Sequence, residues 1–323
     1  MYYAEQQLQR GYLSSVDPKL HLGLGTSSVI DSLRVEWPGG LTQVLQAVKT
    51  NSEVTASVVE ARPGTRKQLS PPPLFTKEAM PQYVPPAEAE FVDYKHGQAT
   101  LPHKFSQQGP RMVVGDINGD SLDDFIVGAP AKQSTKVFIQ NADGTFQVDS
   151  LESREYEDVG LSLFDADNDG DLDLYCVSGS SEFGKDVSHY QDRLYRNNGK
   201  GTFTRYVSAL PEIVSSGSCV VAGDFDNDDD IDLFVGGRVL PSSYPLTPRS
   251  YLLRNDGTGK FEDVTRETSD RLDSVGMVTC ALFSDFDNDG WIDLIVAGEW
   301  MPIVFYKNRS GYLQRHKEIS SGW

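Results

Sequence analysis

Short apolar runs recur along the chain in a fixed relation to acidic stretches. Before each stretch stand MVVG (112–115), LSLF (161–164), VVAG (220–223) and ALFS (281–284). After it stand FIVGA (125–129), LYCVSG (174–179), LFVGG (233–237) and LIVAG (294–298). Runs this short, rich in β-branched and aromatic residues and stopped by glycine, predict buried strands. Further on, each unit holds a second pair of runs around an Asn/Asp/Gly turn. These are VFIQ-NADG-TFQV (137–148), RLYR-NNGKG-TFTRY (193–206), YLLR-NDGTG-KFEDV (251–264) and VFYK-NRSG-YLQR (304–315). Such turn residues supply the positive φ angles that tight hairpins need. Each unit therefore reads as strand, acidic loop, strand, connection, strand, turn, strand.

The units start at Asp116, Asp165, Asp224 and Asp285, at spacings of 49, 59 and 61 residues. A period of that size with four antiparallel strands per unit predicts an all-β fold of β-propeller blades, at least four of them. One such sheet cannot bury both its faces alone, so neighbouring units must stack.

Charge sharpens the picture. The formal net charge is −18, and the four acidic stretches alone hold 19 aspartates, so the rest of the chain is about neutral. A polyanion partner such as nucleic acid is excluded by repulsion. Clusters this dense repel themselves unless a cation neutralises them. Aligned on the first aspartate, the stretches read DINGDSLDD, DADNDGDLD, DFDNDDDID and DFDNDGWID.

Oxygen ligands at positions 1, 3, 5 and 9 of a tight loop converge on one point, and a backbone carbonyl at position 7 adds another. The candidate ligands are therefore Asp116, Asn118, Asp120, Leu122 and Asp124 in the first loop. The second has Asp165, Asp167, Asp169, Asp171 and Asp173, and the third Asp224, Asp226, Asp228, Asp230 and Asp232. The fourth has Asp285, Asp287, Asp289, Trp291 and Asp293. Leu122 and Trp291 would contribute only their carbonyls. Hard oxygen donors without His or Cys select Ca²⁺, about four ions, with Mg²⁺ the weaker alternative.

An EF-hand is rejected. It needs a glutamate at position 12, where Val127, Cys176, Val235 and Val296 stand, and helices on both flanks. Against the metal reading stands the plain one, in which the loops are solvated Asx-turns. The four copies in one strand context argue for the ion, and the first copy, with Asn118 and Ser121, is the least regular.

On these nonapeptides and the turns at 194–203 and 252–265, the sequence resembles the FG-GAP/VCBS repeat family, known from the integrin α-subunit propeller and from exported bacterial proteins. The resemblance covers roughly residues 105–315. It implies Ca²⁺ at positions 1, 3, 5 and 9 of each loop. Residues 1–60, with RGYLSSVDPKLHLGLG (10–25), IDSLRVEWPGG (30–40) and an expected strand VTASVVE (54–60), resemble the ASPIC/UnbV domain that accompanies these repeats. In this small β segment Pro38-Gly39-Gly40 predicts a turn and Trp37 a packing anchor.

Seven prolines between Pro63 and Pro86 predict an extended linker over 61–88, followed by blades over 89–323. The segment 89–110 resembles the family's lead-in to a first blade, and the Ser-Gly-Trp at 321–323 resembles the start of another. Truncation at both ends is expected, with a small closed ring as the alternative. Cys176, Cys219 and Cys280 are expected as buried free thiols.

No catalytic motif is present: there is no G-x-S-x-G, phosphate-cradling loop, H-E-x-x-H or C-x-x-C, and the five histidines are isolated. No run is long enough for a membrane span, and the first 25 residues do not read as a signal peptide, an absence expected from truncation. Loops of this type fill at extracellular calcium levels, so an extracytoplasmic location is expected. The expected function is a non-catalytic binding or adhesion module for a glycan or protein ligand at the cell surface. The contact surface would come from 178–192, 238–249 and Trp300-Met301-Pro302, with Tyr190, Tyr244 and Trp300 as stacking candidates. A carbohydrate-active enzyme, or an accessory domain of one, on the same scaffold is the alternative.

Overall fold

The computed structural model describes residues 19–64, 88, 90–95 and 101–316. Most of the proline-rich linker, the start of the 10–25 motif and the terminal EISSGW lie outside the described residues. Contacts divide the chain into two compact units, Met1–Ala79 and Met80–Trp323.

In the first unit, β1 (Val29–Trp37) pairs antiparallel with β2 (Leu41–Lys49), which pairs with the short β3 (Arg62–Pro63). The Pro-Gly-Gly turn closes the hairpin with Trp37 opposite Leu41, and Gly39 and Gly40 take φ of 89° and 81°. Those angles are open to glycine and costly to other residues. The strand expected at 54–60 is not formed. Ser57 caps a 3-10 turn over Val58–Glu60, and Gln43 holds it from β2, donating to Glu60 (2.8 Å) and accepting from the Ser57 N–H (3.1 Å). The local side-chain bonds outweigh the β-branched pattern, and pairing resumes only at Arg62. Trp37 is half-buried, and its indole nitrogen is buried without a partner.

The second unit is all β apart from short 3-10 turns, with no α-helix among the described residues. It holds four four-stranded antiparallel sheets, each a meander in chain order. The first comprises β4 (Met112–Gly115), β5 (Asp124–Val127), β6 (Lys136–Gln140) and β7 (Phe146–Ser150). The second comprises β8 (Asp158–Phe164), β9 (Asp173–Ser178), β10 (Arg193–Arg196) and β11 (Thr204–Arg205). The third comprises β12 (Ser216–Gly223), β13 (Asp232–Val239), β14 (Tyr251–Asn255) and β15 (Phe261–Asp263). The fourth comprises β16 (Met277–Ser284), β17 (Asp293–Glu299), β18 (Val304–Asn308) and β19 (Leu313–Arg315). These are β-propeller blades.

The core lies between blades. Ile126, Val137, Leu174 and Tyr195 fill the space between the first and second. Val159, Tyr175, Leu233 and Leu253 fill that between the second and third. Phe234, Leu252, Leu294 and Tyr306 fill that between the third and fourth. Each sheet thus buries a face only through its neighbour. Where the two outermost sheets present their other face, Met112 is 64% and Leu282 57% exposed.

That geometry also divides the cysteines: Cys176 is buried, Cys219 intermediate and Cys280 exposed. The expectation of three buried thiols fails at Cys280. It lies on β16 at an exposed position, which apolar sequence alone does not distinguish from a core one.

Candidate metal centre

Each nonapeptide joins the first two strands of its blade, and its ninth residue opens the second strand. Three sets of hydrogen bonds recur in the loops. Position 1 receives backbone N–H groups from further round the turn. Asp165 accepts from Asp169 (3.2 Å) and Gly170 (2.9 Å), Asp224 from Asp228 (3.1 Å) and Asp229 (3.0 Å), and Asp285 from Asp289 (3.1 Å) and Gly290 (2.9 Å). Asp116 accepts from Gly119, Asp120 and Ser121, and the Ser121 N–H above all holds its carboxyl below the usual range. Position 5 accepts the N–H of position 7: Asp120 from Leu122 (2.9 Å), Asp169 from Asp171 (3.1 Å), Asp228 from Asp230 (3.0 Å) and Asp289 from Trp291 (3.1 Å).

Position 9 is fully engaged. One oxygen of Asp124, Asp173, Asp232 and Asp293 accepts the N–H of position 2, and the other that of Gln140, Asn197, Asn255 or Asn308 at the end of the third strand. These four aspartates are at most 1% exposed. They tie the loop to the sheet and keep only second lone pairs for an ion. Burial pushes Asp173 up to about 6 and Asp232 up to about 7, and raises Asp124, in each case against the two N–H donors.

The backbone turns left-handed at position 4 (Asn168, Asn227 and Asn288 at φ 57–61°) and at position 6 (Gly170 at 90°, Gly290 at 88°, Asp229 at 70°, Ser121 at 68°). Asparagine tolerates that region and glycine has no cost there, whereas Ser121 and Asp229 occupy it at a penalty.

Carboxylate oxygens close enough to share an ion, all within 4.8 Å of one another, are found in three loops: Asp165, Asp167 and Asp173; Asp224, Asp226 and Asp232; Asp285, Asp287 and Asp289. The oxygen donor set is that of a hard cation. In the second and third loops the position 3 carboxylate has a buried oxygen, Oδ1 of Asp167 and of Asp226, with no hydrogen-bond partner, and Asp171 has another. Burial first, then the neighbouring aspartates, raises Asp171 and Asp226; burial raises Asp167 as well, with Arg196 opposing it. Unmet oxygens among crowded like charges fit a bound cation.

Two loops carry a cation of the chain's own: Arg196 pairs with the other oxygen of Asp167 (3.1 Å) in the second, and Lys307 pairs with Asp287 and with Asp289 (3.1 Å) in the fourth. Among the described residues, Asp116, Asp120 and Asp124 do not converge in the first loop. There Asn118 turns its amide to Asp120 (3.0 Å). Positions 1 and 3 are therefore common to all three triplets, while position 5 joins only in the fourth loop and position 9 only in the second and third.

Sequence reasoning missed the asparagine that ends the third strand. Asn197 donates from Nδ2 to the carbonyls of Ile117 (2.7 Å) and Leu172 (3.1 Å). Asn255 donates to Ala166 (2.9 Å) and Ile231 (3.2 Å), and Asn308 to Phe225 (2.6 Å) and Ile292 (2.8 Å). In each case one carbonyl belongs to position 2 of the preceding blade and the other to position 8 of its own. The signal was the recurrence of Asn itself at 197, 255 and 308; in the first blade Gln140 holds that place and Asn141 follows it. The positive φ expected of these asparagines falls instead on glycines such as Gly144, Gly199 and Gly257. Loops also join directly, Asn168 donating to Asp230 (2.6 Å) and Asn227 to the Gly290 carbonyl (3.3 Å).

Comparison with known proteins meets this geometry. Residues 1–63 match the family model described as ASPIC and UnbV, and residues 116–176 and 165–235 match that of the FG-GAP-like repeat. The chain carries both. The FG-GAP-like match thus spans the first three acidic loops, and the fourth repeats their hydrogen bonds.

Cartilage acidic protein 1 is 28% identical to this chain over 187 residues in Homo sapiens and in Mus musculus, covering 54% of this chain and 26% and 27% of those proteins. The Xenopus tropicalis protein is 29% identical over 184 residues. The chain spans about a quarter of the length of these curated relatives. Among solved structures, an Agrocybe aegerita lectin described as recognising non-reducing terminal N-acetylglucosamine aligns at TM-score 0.40 and 17% identity, over 63% of this chain and 50% of that one. The V. cholerae biofilm matrix protein Bap1 aligns at 0.31 and 15%, over 65% and 30%. At such scores neither likeness bears on the site. No helix among the described residues is long and apolar enough to cross a membrane.

The expected stacking residues divide. Tyr190 is 1% exposed and donates its hydroxyl to the Gly184 carbonyl (3.1 Å), so it is core. Tyr244 packs against the cluster of Leu101, Phe105 and Val239. Trp300 is 78% exposed, and its indole N–H donates to the Tyr244 hydroxyl at 2.6 Å.

Proposed function

We propose that the chain is an extracytoplasmic, non-catalytic binding module whose blades are braced by calcium in the acidic loops and whose ligand is a glycan or a protein at a cell surface. Trp300 carries the binding half of this reading. It stands at φ 59°, in a region that costs a large side chain about 1–2 kcal/mol. Its Nε1 is tethered while most of its surface stays in water. An indole fixed in that way offers a flat apolar face to a sugar ring or a partner's side chain at little entropic cost.

The calcium half is supported by the converging oxygens of the second and third loops. There Asp165, Asp167 and Asp173, and Asp224, Asp226 and Asp232, would hold the ion. When bound, it supplies charge neutralisation and a fixed loop geometry. The fourth loop would bind more weakly against Lys307, and the first, with Asn118 in place of an acid, more weakly again.

The test is a panel of immobilised glycans and extracellular proteins, probed with the chain and with Trp300→Gly. Glycine removes the indole and relieves the left-handed backbone, so the variant is expected to melt no lower than the parent while losing binding. A ligand bound equally by both proteins would sink the Trp300 assignment. Release of shortened glycan from the panel would point to a carbohydrate-active enzyme instead.

A further inference from the structure

We infer that Glu88, Glu157 and Glu182 form a further divalent-cation site, of the calcium type, at the end of the β8–β9 hairpin opposite its acidic loop. Glu157 immediately precedes β8 and Glu182 follows β9, whereas the nonapeptide 165–173 closes the hairpin's other end. Glu88 closes the expected linker, just before the lead-in and outside any blade. One carboxylate oxygen from each lies within 4.8 Å of the other two. With calcium–oxygen bonds of about 2.4 Å, ligands on opposite sides of one ion stand about 4.8 Å apart, so the three oxygens fit a single coordination sphere.

The second observation is Glu157 itself. It is 1% exposed, and neither of its oxygens has a hydrogen-bond partner of regular geometry. Glu88 and Glu182 each add a buried, unpartnered Oε1. The same neighbourhood shows what a satisfied carboxylate looks like. Asp93, 2% exposed, accepts from the N–H groups of Phe105 and Ser106 and from the hydroxyls of Ser106 and Ser181. Glu157 receives none of this.

Burial pushes Glu157 up to about 8, with Glu182, Glu88 and Asp158 acting in the same direction and the Ser180 hydroxyl easing it only in part. Burial likewise raises Glu88 and Glu182. Lys104 and Lys132 lower them at a distance, and among the described residues neither lysine forms an ion pair with the cluster. The trio has the Gln107 N–H at Glu88 and the Ser180 hydroxyl at Glu157 but no cation paired with it among the described residues, so its neutralising charge comes from outside, and all-oxygen ligands select a hard cation. The ion would tie the linker's end to the second blade.

The decisive experiment is anomalous diffraction from crystals of the full chain soaked in Mn²⁺ or Tb³⁺. A peak bonded to Glu88, Glu157 and Glu182 is expected, separate from any in the nonapeptides. It should vanish in Glu157→Gln/Glu182→Gln while the nonapeptide peaks persist. If that double variant does not fold, Glu88→Gln at the half-buried member is expected to weaken Mn²⁺ binding at this site about ten-fold or more, read as the peak's occupancy over a concentration series. Peaks in the nonapeptides with none at the trio would overturn the inference while leaving the calcium reading of the loops standing. A peak at the trio alone would do the reverse. Carboxyls paired through a shared proton, with no ion at any concentration, would also overturn it.

Discussion

Replacing Asn255 by alanine tests whether the strand-end asparagines hold blade to blade. Asn255 is 4% exposed. Its side chain donates to Ala166 in the second blade (2.9 Å) and to Ile231 in its own (3.2 Å), and accepts the Gly257 N–H (3.2 Å). The backbone bond from its N–H to Asp232 (2.8 Å) survives the change. Three hydrogen bonds, one buried and two part-buried, at about 1 kcal/mol each give a loss of about 3 kcal/mol. At roughly 2–4 °C per kcal/mol for a domain of this size, the melting midpoint should fall by about 6–12 °C.

The chain supplies its own control. Asn141 stands one residue past that position, which Gln140 holds in the first blade, and its exposed amide reaches only the Thr145 hydroxyl (2.9 Å). Asn141→Ala should therefore cost no more than about 0.5 kcal/mol. Thermal and urea denaturation followed by tryptophan fluorescence, at fixed pH and calcium, measures both. Equal losses for the two variants would refute the inter-blade account, because only Asn255 spans two sheets.

Calcium removal with EDTA is expected to lower the unfolding free energy, and the melting temperature with it, by about 2.7 kcal/mol for each loop site that was held at a hundred times its dissociation constant, which urea denaturation measures. Lys307→Met should raise calcium affinity in the fourth loop by freeing Asp287 and Asp289, as titration calorimetry would register. Arg193, buried with its guanidinium 2.6 Å from Asp158 and over the Tyr156 ring, should cost about 3–5 kcal/mol of unfolding free energy when changed to Met, because Asp158 is left buried and uncompensated. Burial lifts Asp192 to about 7 despite the Ser178 N–H, the Tyr175 hydroxyl and the nearby Arg193. The folded state therefore keeps that proton where the unfolded chain, at about 3.9, has lost it. The group's contribution is full below about pH 4 and is lost as pH rises to 7, at up to about 1.4 kcal/mol per unit. Asp192→Asn should flatten that slope, and urea denaturation between pH 5 and 7.5 checks it.

The blades were legible because period, strand pattern and loop chemistry agreed at every copy. The strands flanking Asp165 or Asp224 could hardly be read otherwise. The loops were read for their charge, which obscured their hydrogen bonding. Asp232 looks like its neighbours in sequence, yet it is a 0%-exposed brace with both oxygens bonded to backbone, while Asp226 keeps an oxygen free. Spacing cannot separate those roles, because both need a carboxylate. Val59 at 88% exposure shows the opposite failure: VTASVVE has strand composition, but no neighbour covers it and Ser57 turns the chain away. The glutamate trio was invisible for a third reason. Its members are 69 and 25 residues apart, belong to no repeat, and meet only because the linker's end returns to the second blade.

The hydrogen bonds also bear on what an ion in the acidic loops would do. Position 1 gathers the turn, position 5 caps position 7 and position 9 anchors the whole to the third strand, so the loop's path is set by N–H donors that the chain itself supplies. What the chain does not supply in the second and third loops is a partner for the position 3 oxygen. An ion there is needed for charge rather than for shape. Its removal should leave each hairpin formed while the aspartates push against one another. The contacts most exposed to that push run between loops, from Asn168 to Asp230 and from Asn227 to Gly290. They share those junctions with the strand-end asparagines, whose bonds bury carbonyls and do not depend on charge. The blades are thus joined by two kinds of link, one buried and between neutral groups, one exposed at the rim among the carboxylates. An ion-dependent change belongs to the second kind, and is a loosening between blades rather than the loss of a blade.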